Sequence, residues 1–257
     1  MEYILNNLDG GILTIELNRP QKRNALTLDM YTEFAALLNT AQVNPEIRVV
    51  LVSATGDNYS AGNDLQDFLD HPPEKGDSPQ KQMIDALRVL DKQLVGAVRG
   101  AAVGSGATML TYFDFVYASQ SARFQYPFIN LALVPEFGTS FSLPDQVGYL
   151  RAAEIVLLGH PFDANQALGM GLVTKVLPDA EVFAIAEKVA QELAQKPSAA
   201  LKASKQLLRR QVRPRVEQAT QDEMVEFSER VRSADAREAL TAFFEKRPPR
   251  FNSSETV

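Results

Sequence analysis

The chain contains no cysteine, and of its 257 residues only His71 and His160 are histidines. Thiol nucleophiles, disulfides, iron–sulfur clusters and cysteine–zinc sites are thereby excluded. Two histidines so far apart in sequence do not build a histidine-rich metal site either, so no metal is expected. A basic excess is also missing. The formal net charge is −6, whereas a general nucleic-acid binder carries a cationic face, so no nucleic-acid partner is expected. No apolar run reaches the roughly 18 residues that a membrane span needs, and no membrane association is expected. The opening MEYILNNLDGGILTIELN alternates like a strand and lacks the charged-then-apolar pattern of a secretion signal, and the closing SSETV is not a peroxisomal address of the SKL type. A cytoplasmic location is the expectation.

What is present is ordinary for a globular protein: 45% apolar and 23% charged residues. A chain this long can bury a core without a metal or disulfide to hold it. Two strands are expected at 2–8 and 11–17, joined by the turn signal Asp9-Gly10-Gly11. The polar loop NRPQKRNAL follows, and Thr27 then N-caps a helix to Val43 whose apolar face is Met30, Phe34, Leu37, Leu38 and Ala41. RVVLVSA (48–54) is an unbroken apolar run, the mark of a strand buried on both faces, and LVGAVRG (94–100) and FDFVYAS (113–119) look like two more strands. HPPEKGDSPQ (71–80) between them reads as a polar surface excursion, with helical periodicity regained over 80–93. After Phe137 helices dominate: 138–147, 149–158, 163–169, 180–195, 198–210, 216–232 and 234–246. Only LVTKVL (172–177) looks extended there, and 247–257 reads as a frayed tail. A mixed α/β body of residues 1–196 followed by a helical part, 197–257, is expected.

Two glycine loops can carry chemistry. YSAGNDL (59–65) follows a buried strand, and its small residues let another molecule approach the backbone, with Asn63 or Asp64 at a helix start whose N–H groups lack partners. The plainer account is a strand-to-helix turn with an aspartate cap. RGAAVGSGATML (99–110) again leads from a strand through Gly104, Ser105 and Gly106 into an apolar helix, and the plainer account is close helix–strand packing. It is neither a dinucleotide fingerprint nor a P-loop, because the spacing is wrong and no GK[ST] follows. Two such loops together can offer two backbone N–H groups to one oxygen, the arrangement that stabilises an enolate.

IELNRPQKRNAL, SAGNDL, VRGAAVGSGATMLTYFDFVYAS and GLVTKVLP, in this order, resemble successive signatures of the enoyl-CoA hydratase/isomerase (crotonase) superfamily over roughly residues 3–246. The resemblance implies an α/β fold, a crotonase-like spiral of repeated ββα units with a helical C-terminal trimerisation region, assembled as a homotrimer or a dimer of trimers. It implies an acyl-CoA thioester as substrate, with coenzyme A as part of that substrate and no separate cofactor. It assigns the oxyanion-hole N–H groups to Asn63 and Ser105. Hydratases of the family use two glutamates at the positions held here by Thr108 and Phe128. Neither residue activates water, so hydration by that route is not expected.

The segment FQYPFINLALVPEFGTSFSLP resembles the peroxisomal type of enoyl-CoA delta-isomerase and offers Glu136 as the single catalytic base. That base would convert 3-enoyl-CoA to 2-trans-enoyl-CoA. The plainer account of Glu136 is a surface glutamate capping the helix that begins near Gly138. For coenzyme A the resemblance points to Arg23 as phosphate contact, Ala25, Ala61 and Asp64 near pantetheine and adenine, and Phe244 and Lys246 near adenine and phosphate. Phe243 and Phe244 fit a helix core slightly better. Met83, Ile84, Leu87, Phe128 and Phe137 are candidates for the acyl pocket. Hydratase, hydrolase or dehalogenase chemistry on the same scaffold (Asp145 being the nearest aspartate) and a non-catalytic acyl-CoA binder are the alternatives.

Overall fold

The computed structural model describes residues 2–70 and 78–251. The chain opens with the antiparallel hairpin β1 (Ile4–Asp9) and β2 (Ile12–Leu17), and Thr27 caps α1 (Leu28–Val43) by accepting the Met30 N–H. Strand β3 (Val49–Ala54) leads to α2 (Leu65–Asp70), and Ser78 caps α3 (Pro79–Val89). Of the expected polar excursion at 71–80, residues 71–77 lie outside the described residues.

Next come β4 (Gln93–Val98), β5 (Ala101–Val103), α4 (Ser105–Thr108), β6 (Phe115–Ser119), β7 (Arg123–Gln125) and a 3-10 turn, Phe128–Leu131. Helices α5 (Thr139–Val147) and α6 (Tyr149–Leu158), strand β8 (Phe162–Asp163), helix α7 (Ala164–Met170) and strand β9 (Lys175–Leu177) complete the strand-bearing part. Helices α8 (Val182–Gln195), α9 (Ser198–Arg209), α10 (Arg213–Arg230) and α11 (Ala234–Glu245) follow.

The strands form two sheets, β1-β2-β3-β4-β6-β9 and β5-β7-β8, with every pairing in the larger one parallel except the opening hairpin. Strand β4 lies in the large sheet and β5 in the small one, then α4 returns the chain; β6 and β7 repeat the step. Repetition of this strand–strand–helix unit winds the chain as a spiral, followed by a helical C-terminal region. The large sheet is covered on both faces. Val49 and Leu51 of β3 pack with Ala186 and Ala190 of α8, while Val50 and Val52 face the main core with Phe34 and Leu38 of α1. Strict alternation of side chains along one strand therefore reads as an unbroken apolar run.

Several boundaries differ from expectation. Strands β5, β7 and β8 are too short to show any period, so the region after Phe137 holds two extended segments, Phe162–Asp163 and Lys175–Leu177, rather than one. The segment after α11 is not frayed over 247–250. Arg247 pairs with Glu238, and the Arg250 N–H donates to the same carboxylate at 2.8 Å.

Candidate active site

The two glycine loops lie side by side. The Ser60 N–H donates to Ala101 C=O and the Val103 N–H to Ser60 C=O, each at 2.9 Å, forming a parallel bridge between Ser60 and Ala102. The contact continues to Gly62, where an added Cβ would lie 3.5 Å from Gly104 Cα. The approach is so close that only glycine fits. A Cβ at Gly62, where φ is +86°, would meet Val103 C=O at 2.7 Å, and one at Gly106 would meet Ser60 Cβ at 2.7 Å. Ser105 is the first residue of α4, so its N–H has no intrahelical acceptor. Among the described residues, neither the Ser105 nor the Asn63 N–H has an acceptor. Asp64 takes the plainer role foreseen for this loop, accepting from the Gln66 and Asp67 N–H groups at the start of α2.

Glu136 sits two residues before Gly138 and faces Asn63 across a small cavity also walled by Ile84, Phe137, Met224 and Phe227. Its Oε1 is buried and has no hydrogen-bond partner among the described residues. Burial, and then the nearby Glu223 carboxylate, push its pKa up to about 8 against the opposing pull of the Asn63 side chain. Glu136 does not cap the helix after it. That task falls to Glu223 of α10, whose carboxylate accepts the Gly138 and Ser140 N–H groups, both at 2.6 Å. Glu223 therefore has both oxygens engaged, whereas Glu136 is left with one oxygen free. Burial raises the Glu223 pKa as well, with the Ser140 and Gly138 donors opposing. Between the two carboxylates, Phe137 adopts left-handed backbone (φ 62°), a conformation costing about 1–2 kcal/mol without glycine. It is held by a buried ring and by the Tyr112 hydroxyl, which donates to Phe137 C=O at 2.8 Å.

Beyond Asn63 a second, open groove of about 370 Å³ runs past Ala61, Gly62, Val103, Gly104, Phe128 and Phe243. Asn63 and Phe227 line both spaces. The polar loop is fastened to the first glycine loop: Arg23 C=O accepts the Ala61 N–H and Leu26 pairs with Asn63, bringing Arg23, Ala25 and Ala61 together. Buried Asn24 fixes the loop by accepting the Arg19 N–H and donating to Thr55 and Asn58 C=O. Asp64 is turned away from the groove into an ion pair with Arg19 at 2.6 Å, which holds its pKa below the usual range despite burial. Lys22 and Arg23 remain exposed.

At the other end, Phe243 and Phe244 are 58% and 46% exposed, so neither is helix core, contrary to the preference drawn from sequence. Phe243 and Arg247 reach the groove, while Phe244 and Lys246 are not among its walls. Of the acyl-pocket candidates, Ile84 and Phe137 line the inner cavity and Phe128 the groove, whereas Met83 and Leu87 are absorbed in the core. Asp145 lies on neither; it borders a separate depression with Arg209 and Gln146.

Two side chains at this site escaped the sequence reading. Tyr31 of α1 is buried, and its hydroxyl donates to Asn63 Oδ1 at 2.6 Å. Glu223 carried a signal that was there to be found: with Val216, Thr220 and Phe227 it occupies a buried helical stripe, where a carboxylate is out of place. Among the described residues, no group of three His, Cys, Asp or Glu is arranged to hold a metal, and no helix is long and apolar enough to cross a membrane.

Residues 7–254 match the family model described as enoyl-CoA hydratase/isomerase. The chain is 33% identical over 260 residues to 1,2-epoxyphenylacetyl-CoA isomerase of Escherichia coli K12, covering 98% of each chain. It is 32% identical over 251 residues to enoyl-CoA delta isomerase 2 of Rattus norvegicus, covering 95% of this chain but spanning only 64% of that relative's length. Among solved structures, an enoyl-CoA hydratase/isomerase from Pseudoalteromonas atlantica T6c superimposes with a TM-score of 0.93 at 38% identity, covering 98% of this chain and all of the other. A fold matched along its whole length, together with relatives above 30% identity, identifies the chain as a member of the enoyl-CoA hydratase/isomerase (crotonase) family.

Proposed function

We propose that the protein isomerises 3-enoyl-CoA to 2-trans-enoyl-CoA with Glu136 as its single base. The observation that carries this reading is the buried, unpartnered Oε1 of Glu136, which shares a small cavity with Asn63. The acyl chain enters that cavity, the pantetheine lies in the groove past Ala61 and Gly62, and the thioester carbonyl sits beside Asn63, which lines both. Glu136 removes a proton from the α carbon. The dienolate oxygen is stabilised by the N–H groups of Asn63 and Ser105, each contributing about 3–4 kcal/mol in comparable sites. Protonated Glu136 then returns the proton to the γ carbon, which regenerates the carboxylate and leaves the double bond conjugated. A base with proton affinity raised to about 8 suits a weakly acidic carbon better than an ordinary carboxylate does.

Thr108 and Phe128 stand where the hydratases of the family place their glutamates, and Glu223 has both oxygens occupied by backbone donors. This favours proton relocation over addition of water. Arg23, Ala25 and Ala61 border the coenzyme A path, and Asp64 supports the loop through Arg19 rather than through the ligand. Exposed Tyr149 and Leu150 on α6 and Leu207 and Leu208 on α9 support self-association through the helical faces. Mixing the protein with 3-hexenoyl-CoA is expected to raise ultraviolet absorbance as the product conjugates, and Glu136→Gln to abolish the rise. Undiminished turnover by that variant overturns the reading. The same assay with 1,2-epoxyphenylacetyl-CoA compares the reaction named for the E. coli relative.

A further inference from the structure

We infer that Tyr31 is a positioning residue: its hydroxyl fixes which way the Asn63 side-chain amide faces, so that the amide NH2 rather than the oxygen is presented to Glu136. This inference rests on the proposed role of Glu136 and deepens it.

The family resemblance uses residue 63 only through its backbone N–H, for which any side chain would serve. Here the side chain is engaged. The Tyr31 O–H donates to Asn63 Oδ1 at 2.6 Å, a short bond, and Tyr31 is 1% exposed in the core beneath the loop. An amide whose oxygen is held on one side must direct its two N–H donors to the other. On that other side is the cavity that Asn63 shares with Glu136. The Asn63 side chain lowers the proton affinity of Glu136, which is the effect of a donor and not of a carbonyl oxygen. The Glu136 charge also acts on the buried Tyr31 hydroxyl and opposes its ionisation, so the phenol stays a donor to Asn63.

The other groups facing Glu136 do not replace this contact. Glu223 of α10 adds negative charge and spends both oxygens on Gly138 and Ser140. Lys81 of α3 lines the same cavity, but its ammonium is paired with Asp85. With phenylalanine at position 31 the amide is free to rotate. Its carbonyl dipole can then face the carboxylate, which holds the proton more tightly and aims the base less well.

The test follows the titration of Glu136 by carboxyl 13C NMR in wild type, Tyr31→Phe, Asn63→Ala and the double variant, alongside kcat and KM on 3-hexenoyl-CoA. Tyr31→Phe is expected to raise the Glu136 midpoint by about one pH unit and to lower kcat at pH 7 roughly tenfold, with KM changed less than about twofold. Asn63→Ala keeps the backbone N–H and is expected to raise the midpoint similarly, and the double variant to add little beyond either single change. A Tyr31→Phe variant that melts earlier but keeps the wild-type midpoint overturns the inference, since Tyr31 would then only fill space. Should Tyr31→Phe fail to fold, an unmoved midpoint in Asn63→Ala overturns it equally. The NMR arm needs no turnover, so an inactive wild type would refute the proposed reaction while leaving the orientation of the amide decided by the midpoints.

Discussion

Glu136 and Glu223 border one cavity with opposite employment. Both Glu223 oxygens accept backbone N–H groups at 2.6 Å, from Gly138 and Ser140, while Glu136 Oε1 is buried with no partner among the described residues. The helix that Glu136 stands ready to cap is already capped from α10. An acid is thereby kept close to a helix start without being consumed by it.

This division of labour sets the pH dependence. Glu136 must be ionised to act as a base, and its pKa is raised to about 8. On 3-hexenoyl-CoA, kcat/KM is expected to rise about tenfold per pH unit on the acid side and to reach half its maximum near pH 8. A profile already flat above pH 6 would remove Glu136 from that role.

The same shift has a cost in stability. A carboxyl whose folded-state pKa lies above its ordinary value of 4.5 holds its proton more tightly when folded. Its stabilising contribution is complete below the unfolded value and is lost as pH rises through about 8. Glu136→Gln is therefore expected to melt higher than wild type at pH 8.5, by up to a few kcal/mol at about 1.4 per pH unit traversed, with the gap closing towards pH 5. Melting curves that run parallel across this range would show that the carboxyl is well solvated.

Glu223→Gln tests the other partner. The amide keeps one oxygen as a neutral acceptor and sets its NH2 against the other backbone N–H, so one bond weakens and the other is lost, and a loss of about 1–3 kcal/mol in thermal or urea unfolding is expected. Removal of the neighbouring negative charge also lowers the proton affinity of Glu136, because Glu223 raises it in the wild type. The midpoint of the kcat/KM profile should move to lower pH, and an upward move would contradict the electrostatic account.

At the glycine loops, Gly62→Ala places a methyl 2.7 Å from Val103 C=O in a backbone with φ of +86°. The two loops must part, which would disrupt the oxyanion pair proposed at Asn63 and Ser105. A fall in kcat of about 100-fold or more is expected, comparable to loss of one oxyanion donor, with the fold retained by circular dichroism.

Arg23→Ala removes an exposed cation beside Ala61. It is expected to raise KM for acyl-CoA severalfold at low salt and to leave the melting temperature unchanged, with the effect shrinking as salt screens the phosphates. An unchanged KM at low ionic strength would direct attention to Lys22 or Arg247 instead.

Much of this molecule is legible locally. Unbroken apolar runs announce β3, β4 and β6, and Thr27 announces α1, because a buried strand and an N-cap are written in adjacent residues. The short strands β5, β7 and β8 are not, since two or three residues carry no period. Residues Glu136, Asn63 and Ser105 stand out by resemblance, but their setting does not. The cap that frees Glu136 reaches Gly138 from 85 residues further along the chain, and the hydroxyl that holds Asn63 comes from 32 residues earlier. Such partners are chosen by tertiary packing, so nothing beside either residue in sequence marks them. The exposure of Phe243 and Phe244 was misjudged for a related reason: two adjacent aromatics cannot both lie on one buried helical stripe.

The parallel bridge from Ser60 to Ala102 makes the spacing on each loop a ruler. Beyond it, Gly62 still lies against Val103 and Gly104, one residue short of each proposed donor. One residue inserted on either side would slide an amide by about 3.3 Å and turn it to the opposite side of the chain. Length variation is thus forbidden on these two short stretches even where side chains there are free to change. Altered substrate preference must be sought in the cavity walls, at Ile84, Met224 or Phe227, whose replacement leaves that count untouched.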